Sequence, residues 1–283
     1  MTSRNLICKY NNLPYFFFVS AIFYLLSFSS HTLAKQYVVG VVPQFNTKKI
    51  YRIWSPILSN LSERTGHTFV LKGSEDIPSF EANLAKSEYD LAYMNPYHYI
   101  MNPQYRPVVR DHGRQLYGIL VTQKEGNIKS INDLQGKTLH FPAPNALGAS
   151  LMIRAELIDK FGITFESKYV NTHSSVFLNT ALGLASAGGG VQKTYSRQKE
   201  QIKEKLTILH ETEKVTPHPL TVHQRIPKEI YLLIQNALMA YAATDEGKAA
   251  LKKVPFKQLG VANKEDYQSV SDMKLDAYYV KPN

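Results

Sequence analysis

At 283 residues, with 33 Lys and Arg against 23 Asp and Glu, the chain is long enough for one large core or two smaller ones and carries a formal charge of +10. Its basic residues are dispersed rather than gathered into a run interleaved with aromatics, which excludes nucleic acid as a partner and matches a small anion or an anionic membrane surface. A single cysteine, Cys8, excludes a disulfide framework.

The chain opens with Arg4 and Lys9, continues through an apolar run from Tyr15 to Phe28, and reaches Ser29-Ser30-His31-Thr32-Leu33-Ala34. This is the pattern of a secretory signal peptide over residues 1–34, and the run is short for a membrane span. Cleavage near Lys35 is expected, giving an exported protein. Cys8 precedes the apolar run, so it is not a lipid attachment site, and its removal excludes a thiol nucleophile or thiolate metal ligand. Without Arg4 and Lys9 the mature chain keeps a net charge of +8.

Tyr37 to Val42 predicts a strand, and Ile50, Ile53, Trp54, Ile57, Leu58 and Leu61 predict an amphipathic helix stopped at Gly66, with Trp54 in the core. Thr68–Leu71 reads as a strand, Pro78–Ala85 as a helix opened by proline, and Asp90–Tyr93 as a third strand. This alternation implies a parallel sheet. Two extended runs follow between Pro107 and Gln123, the second, LYGILVTQ, long enough to cross between lobes.

A new α/β series then begins with a helical turn at Ile131–Leu134, a strand at Thr138–Phe141 and a helix from about Ala146 to Phe161, capped by Gly162. Lys168–Val170 is extended and Ser174–Ala185 helical. Gly188, Gly189 and Gly190 predict a turn, Thr194–Lys205 a polar helix and Thr207–His210 a strand. Thr212–Arg225, rich in threonine, proline and histidine, reads as a return connection. Helices over Pro227–Ala243 and Glu246–Lys253 close the chain.

The stretch that bears most on function is FPAPNALGASL, Phe141 to Leu151. A strand, a proline-rich turn and a helix beginning with small residues present unpaired N–H groups and a positive dipole end, a seat for an anion; an ordinary strand-to-helix turn has the same look. Tyr93, Asn95 and Tyr97 lie just past a strand end, where open α/β sheets bind ligands and where core aromatics also fall. The glycines before Gln192 allow either a close backbone approach to a ligand or a flexible turn. His210, His218 and His223 match no compact metal-ligand spacing, so no metal and no cofactor are expected. No Gly-x-Ser-x-Gly turn is present, and the chain is read as a binding protein and not an enzyme.

DLAYMNPYHY, LYGILVTQ, NDLQGKTLHF, the Pro-Asn turn, His173 opening a helix and Pro217-His218-Pro219 together resemble the periplasmic substrate-binding proteins of phosphate, phosphite and phosphonate ABC transporters, over essentially the whole mature chain. The resemblance implies an α/β fold of the type II periplasmic binding protein kind. It has two lobes, each a mixed, mainly parallel sheet flanked by helices, with two crossover strands. Lobe I is expected over 35–116 plus 221–283 and lobe II over 117–220. The implied function is capture of a small anion of the phosphonate, phosphate or phosphite type for an ABC permease in the inner membrane, by a monomer. Presentation of the ligand to a membrane sensor kinase, or capture of a non-phosphorus anionic solute, are the alternatives.

In that family the turn after Pro-Asn carries a Ser-Thr-Ser type hydroxyl cluster, replaced here by Ala146, Leu147 and Gly148. Either the ligand differs, or Asn145 and Ser150 supply part of what is missing. By resemblance His173, assisted by Ser174, bonds an anion oxygen. The positions that would hold carboxylates against a ligand amine correspond to Thr194 and His218, which argues against 2-aminoethylphosphonate. The expected ligand-binding set is therefore Tyr93, Asn95, Asn145, Ala146, Leu147, Gly148, Ser150, His173, Ser174, Gln192 and His218.

Overall fold

A β-rich opening run forms strand β1 (Gln36–Val41), and the helix that follows, α1 (Thr47–Thr65), is capped at its start by the Asn46 side chain and ended by Gly66 in the left-handed region. The buried stripe of α1 is Ile50, Ile53, Trp54, Ile57, Leu58 and Leu61, the residues whose spacing predicts it. The computed structural model describes residues 1–2, 34–254 and 256–282. Of the leader pattern, residues 3–33 lie outside the described residues. Lys35–Asn283 forms one compact unit.

Within that unit the strands sort into two mixed sheets. The first has the order β11-β4-β10-β3-β1-β2. Its members are β1, β2 (Thr68–Lys72), β3 (Leu91–Tyr93), β4 (Tyr105–Asp111), β10 (Leu220–His223) and β11 (Leu259–Val261). β1 runs parallel to β2 and β3, whereas β10 is antiparallel to β3 and β4 and β11 to β4. The second sheet has the order β7-β6-β8-β5-β9, built from β5 (Gly118–Gln123), β6 (Thr138–Phe141), β7 (Glu166–Tyr169), β8 (Ala187–Val191) and β9 (Leu206–Glu211). β6 is parallel to β7 and β8, and β5 antiparallel to β8 and β9.

Two segments cross between the sheets, β4 to β5 and β9 to β10, and they are tied where Leu116 pairs with Val215 through two backbone hydrogen bonds of 2.8 Å. The return segment is more than a connection, because four of its residues, Leu220–His223, are the buried strand β10 at the centre of the first sheet. Four residues after a Pro-His-Pro string carry too little periodicity to announce a strand. The polar helix expected over Thr194–Lys205 is two single turns, Gln192–Tyr195 and Glu200–Lys203.

The triple glycine is not a turn. Gly188–Gly190 lie inside β8, and helices press on both of its faces. A Cβ on Gly188 would stand 2.3 Å from Thr180 Oγ1, one on Gly190 2.3 Å from Phe177 Cζ, and one on Gly189 2.2 Å from the Ala149 carbonyl. Glycine appears here because packing excludes a side chain, which is one of its two meanings in a strand.

Candidate functional site

The carboxyl ends of the parallel strands carry the site. β1 leads into Val42, Gln44 and Phe45, β3 into Asn95, β6 into the turn at Ala143–Ala146, and β8 into Gln192, Lys193 and Thr194. Two contiguous cavities open there between the sheets. The smaller, about 300 Å³, is lined by Ala146–Ala149 and His173 from the second sheet and by Gln44, Asn95 and His218 from the first. The larger, about 550 Å³, holds Tyr93, Phe45, Arg114, Gln192, Lys193 and Thr194. Gln44, Leu116, Val191 and His218 border both.

The helix after the turn is a run from Leu147 to Lys160: a π-turn (Leu147–Leu151), an α-turn (Met152–Ala155) and a second π-turn (Glu156–Lys160). At its start the N–H groups of Ser150 and Leu151 both aim at the Ala146 carbonyl, at 2.7 and 3.2 Å. Those of Leu147, Gly148 and Ala149 meet no backbone acceptor among the described residues. These are the donors a helix start offers to an anion. The run is pressed onto the sheet through glycines, Gly118 under the Gly148 carbonyl and Gly189 under that of Ala149.

Three residues of the expected set point elsewhere. Asn145 is buried, and its amide donates to Glu81 Oε2 (3.0 Å) and to the Val280 carbonyl (2.6 Å), while its oxygen accepts from Val280 N–H (2.9 Å). Ser150 is fully buried and accepts from Arg154 Nε at 3.1 Å. Ser174 is exposed and meets the Gln198 amide at 3.4 Å. None of the three borders either cavity, so neither Asn145 nor Ser150 stands where the missing hydroxyls would be.

Asn95 borders the smaller cavity, but its amide donates to the Asn145 carbonyl at 3.0 Å and its oxygen caps helix Pro96–Met101 through His98 N–H. It walls the site and joins the two sheets. Tyr93 stacks on His218 with ring centroids 5.4 Å apart and packs on Trp54 beneath, which is buried as expected.

Both histidines are buried and neutral. Burial pushes His173 down to about 4. His218 is pushed down to about 3, by burial first and then by the neighbouring His98, Lys193 and His173. Gln44 Nε2 donates to His218 Nε2 at 2.9 Å, which places the ring proton on Nδ1. His173 Nδ1 lies 3.4 Å from the Thr194 hydroxyl, whose own hydrogen goes to the Val191 carbonyl.

The unfolded chain binds protons at these histidines first, so the stability they confer is complete above about pH 6.5 and drains away as pH falls toward 4 and 3. In urea melts, His218→Gln is expected to lose about 2 to 3 kcal/mol less than the parent protein between pH 6.5 and 4.5. Equal losses would show that His218 titrates normally.

Lys193, Gln44, Phe45 and Arg114 are cleft residues that sequence reasoning passed over. Had Gly188–Val191 been read as a buried strand, the residues just past its end would have been placed at the cleft.

Two α/β sheets joined by paired crossing segments, with a cleft at the carboxyl ends of their strands, have the architecture of bilobal solute-binding proteins. Residues 39–267 match the family described as phosphonate ABC transporter periplasmic substrate-binding proteins, and the chain belongs to that family. The fold is also that of a binding protein component of a Pseudomonas aeruginosa ABC phosphonate transporter (TM-score 0.76, 13% identity, covering 87% of this chain and 90% of that one). PhnD1 from Prochlorococcus marinus, solved with methylphosphonate, superposes with TM-score 0.76 at 11% identity, covering 87% of this chain and 99% of that one. A Xanthomonas citri protein bound to chloride gives 0.74 at 14% identity, over 86% and 98% of the two chains.

Proposed function

We propose that this chain captures a small oxyanion of the phosphonate type in the cleft between its sheets and delivers it, as a monomer, to an ABC permease in the inner membrane. The lobes that close on the ligand are assigned to residues 35–116 plus 221–283 and to residues 117–220. The observation that carries this reading is the start of the 147–160 run: three N–H groups without a backbone acceptor, in one cavity with two uncharged imidazoles. Main-chain donors and neutral rings replace the hydroxyls that Ala146, Leu147 and Gly148 lack. With the Thr194 hydroxyl turned from the Val191 carbonyl to His173 Nδ1, the ring carries its proton on Nε2 and donates it to the anion, and the apolar walls, Val42, Ile77 and Val191, exclude water and strengthen each such bond. No covalent step is required of any residue.

Thermal unfolding in the presence of methylphosphonate, phosphite, phosphate, methanesulfonate and acetate tests this. A phosphorus oxyanion at a hundredfold its Kd is expected to add about 2.7 kcal/mol and raise Tm by several degrees. His173→Ala is expected to weaken the same ligand at least about tenfold, the loss of one hydrogen bond to an anion. Stabilisation by the sulfonate or the carboxylate alone would overturn the phosphonate reading.

A further inference from the structure

The larger cavity ends in positive charge. Lys193 extends from the turn after β8, and its Nζ is buried without a hydrogen-bond partner, as is Oε1 of the adjacent Gln192. Arg114, from the β4–β5 crossing, lines the same cavity. Arg197, four residues beyond Lys193, disfavours the charging of Lys193, and the charge of Arg114 disfavours that of Arg197. Among the described residues none of the three forms an ion pair.

The one acidic residue on the cavity wall is Asp111, and it is committed. Its Oδ1 accepts from the N–H groups of Gly113 and Gln258 and its Oδ2 from that of Lys257, all at 2.9 Å. The aromatic wall repeats the bias. The Phe45 ring lies under Lys49 Nζ at 3.6 Å and near the Arg197 guanidinium at 5.6 Å.

A buried ammonium with no counter-ion is costly, and a site keeps one where a ligand completes it. We propose that this end of the cleft is a second anion subsite, centred on Lys193 and Arg114, and that the ligand is a short molecule negative at both ends, a phosphonocarboxylate being the simplest. This rests on the reading that the first anionic group sits at the start of the 147–160 run. A tail bearing an amine is rejected, since it would meet three cations and no available carboxylate.

Titration supports the assignment. Burial, then the charges of Arg197 and Arg114, lower Lys193 to about 7, against a smaller opposing effect of Asp111. The other titratable groups on that cavity wall, His218, Tyr93 and Tyr117, are uncharged at that pH, since burial lowers His218 and raises both tyrosines. An anion bound at Lys193 therefore favours the ammonium, and its margin in affinity over a phosphonate without the second charge shrinks as pH rises above 7, the ionisation of the phosphonate group itself being common to both ligands.

The test is calorimetric titration of the purified protein and of Lys193→Met with methylphosphonate, 2-aminoethylphosphonate, phosphonoacetate, 3-phosphonopropionate and glutarate at pH 6.5 and 8.5. The phosphonocarboxylates are expected to bind at least about tenfold tighter than methylphosphonate at pH 6.5, and Lys193→Met to erase that margin while leaving methylphosphonate within about threefold. Phosphonocarboxylates no tighter than methylphosphonate, or a margin that survives in Lys193→Met and in Arg114→Gln, would overturn the second subsite and leave the phosphonate reading standing. Tight glutarate binding that needs Lys193, with no phosphonate bound, would support the second subsite and overturn the phosphonate reading.

Discussion

Gly118→Ala is expected to destabilise the protein by about 3 kcal/mol or more and to abolish stabilisation by any ligand of the smaller cavity. A Cβ at this position would stand 1.8 Å from the Gly148 carbonyl oxygen and 2.8 Å from its carbon, and both atoms are backbone. Neither side has room to yield. Gly118 is locked by its N–H to Thr212 Oγ1 (2.8 Å), by its carbonyl to Thr212 N–H (3.0 Å) and by pairing with Val191 in β8. Gly148 is the second residue of the helical run whose first N–H groups are the anion seat. The extra methyl must therefore open β5 from its sheet and lift the seat from the cleft. Urea melts with and without methylphosphonate read the two effects: the first lowers stability in both, and the second removes the ligand's increment. Parental stability and affinity together would mean that the glycine contact is loose.

Asn145→Ala is expected to cost about 2 to 4 kcal/mol without Asn145 touching a ligand. Its side chain makes three hydrogen bonds, two of them to the backbone of Val280 and one to the carboxylate of Glu81, which is only 4% exposed. Glu81 Oε1 lies 2.6 Å from His98 Nε2, so the carboxylate sits in a buried polar group and the amide of Asn145 satisfies its other oxygen. Deleting that donor leaves a buried carboxylate oxygen unpaired, the expensive half of the hydrogen-bond asymmetry. In a double-mutant cycle, Glu81→Gln is expected to reduce the cost of Asn145→Ala by about 1 kcal/mol or more. Additive effects would separate the two residues. Because the Asn145 carbonyl also accepts from Asn95, the residue lashes the turn before the seat to the first sheet and to the C-terminal segment.

The commitment of Asn145 to Glu81 and Val280 explains why the site was only partly legible in the sequence. Local patterns carried most of the run from β1 to β6, though not helix Pro96–Met101, since α1 and β2 bury faces with clear periods and end at Gly66 and Gly73, and β6 is bounded by Gly136 and Pro142. Patterns that depend on partners far along the chain did not carry. The GGG string reads as a turn until the helices that flatten against it are known, and Leu220–His223 reads as a linker until β3 and β4 are seen to flank it. For the site, strand ends and a helix start pointed to Tyr93, Asn95, Ala146–Gly148 and Gln192. Which polar groups are already spent, as Asn145 and Ser150 are, and which cations are left unpaired, as Lys193 is, follows only from the packed structure.

A crystal structure of the protein grown with methylphosphonate is the most direct measurement. The phosphonate oxygens should lie within about 3 Å of the N–H groups of Leu147, Gly148 or Ala149, with His173 as a further donor. Phosphonate held away from those amides, with the start of the 147–160 run bonded only to protein, would contradict an anion seat made of main chain between the two sheets.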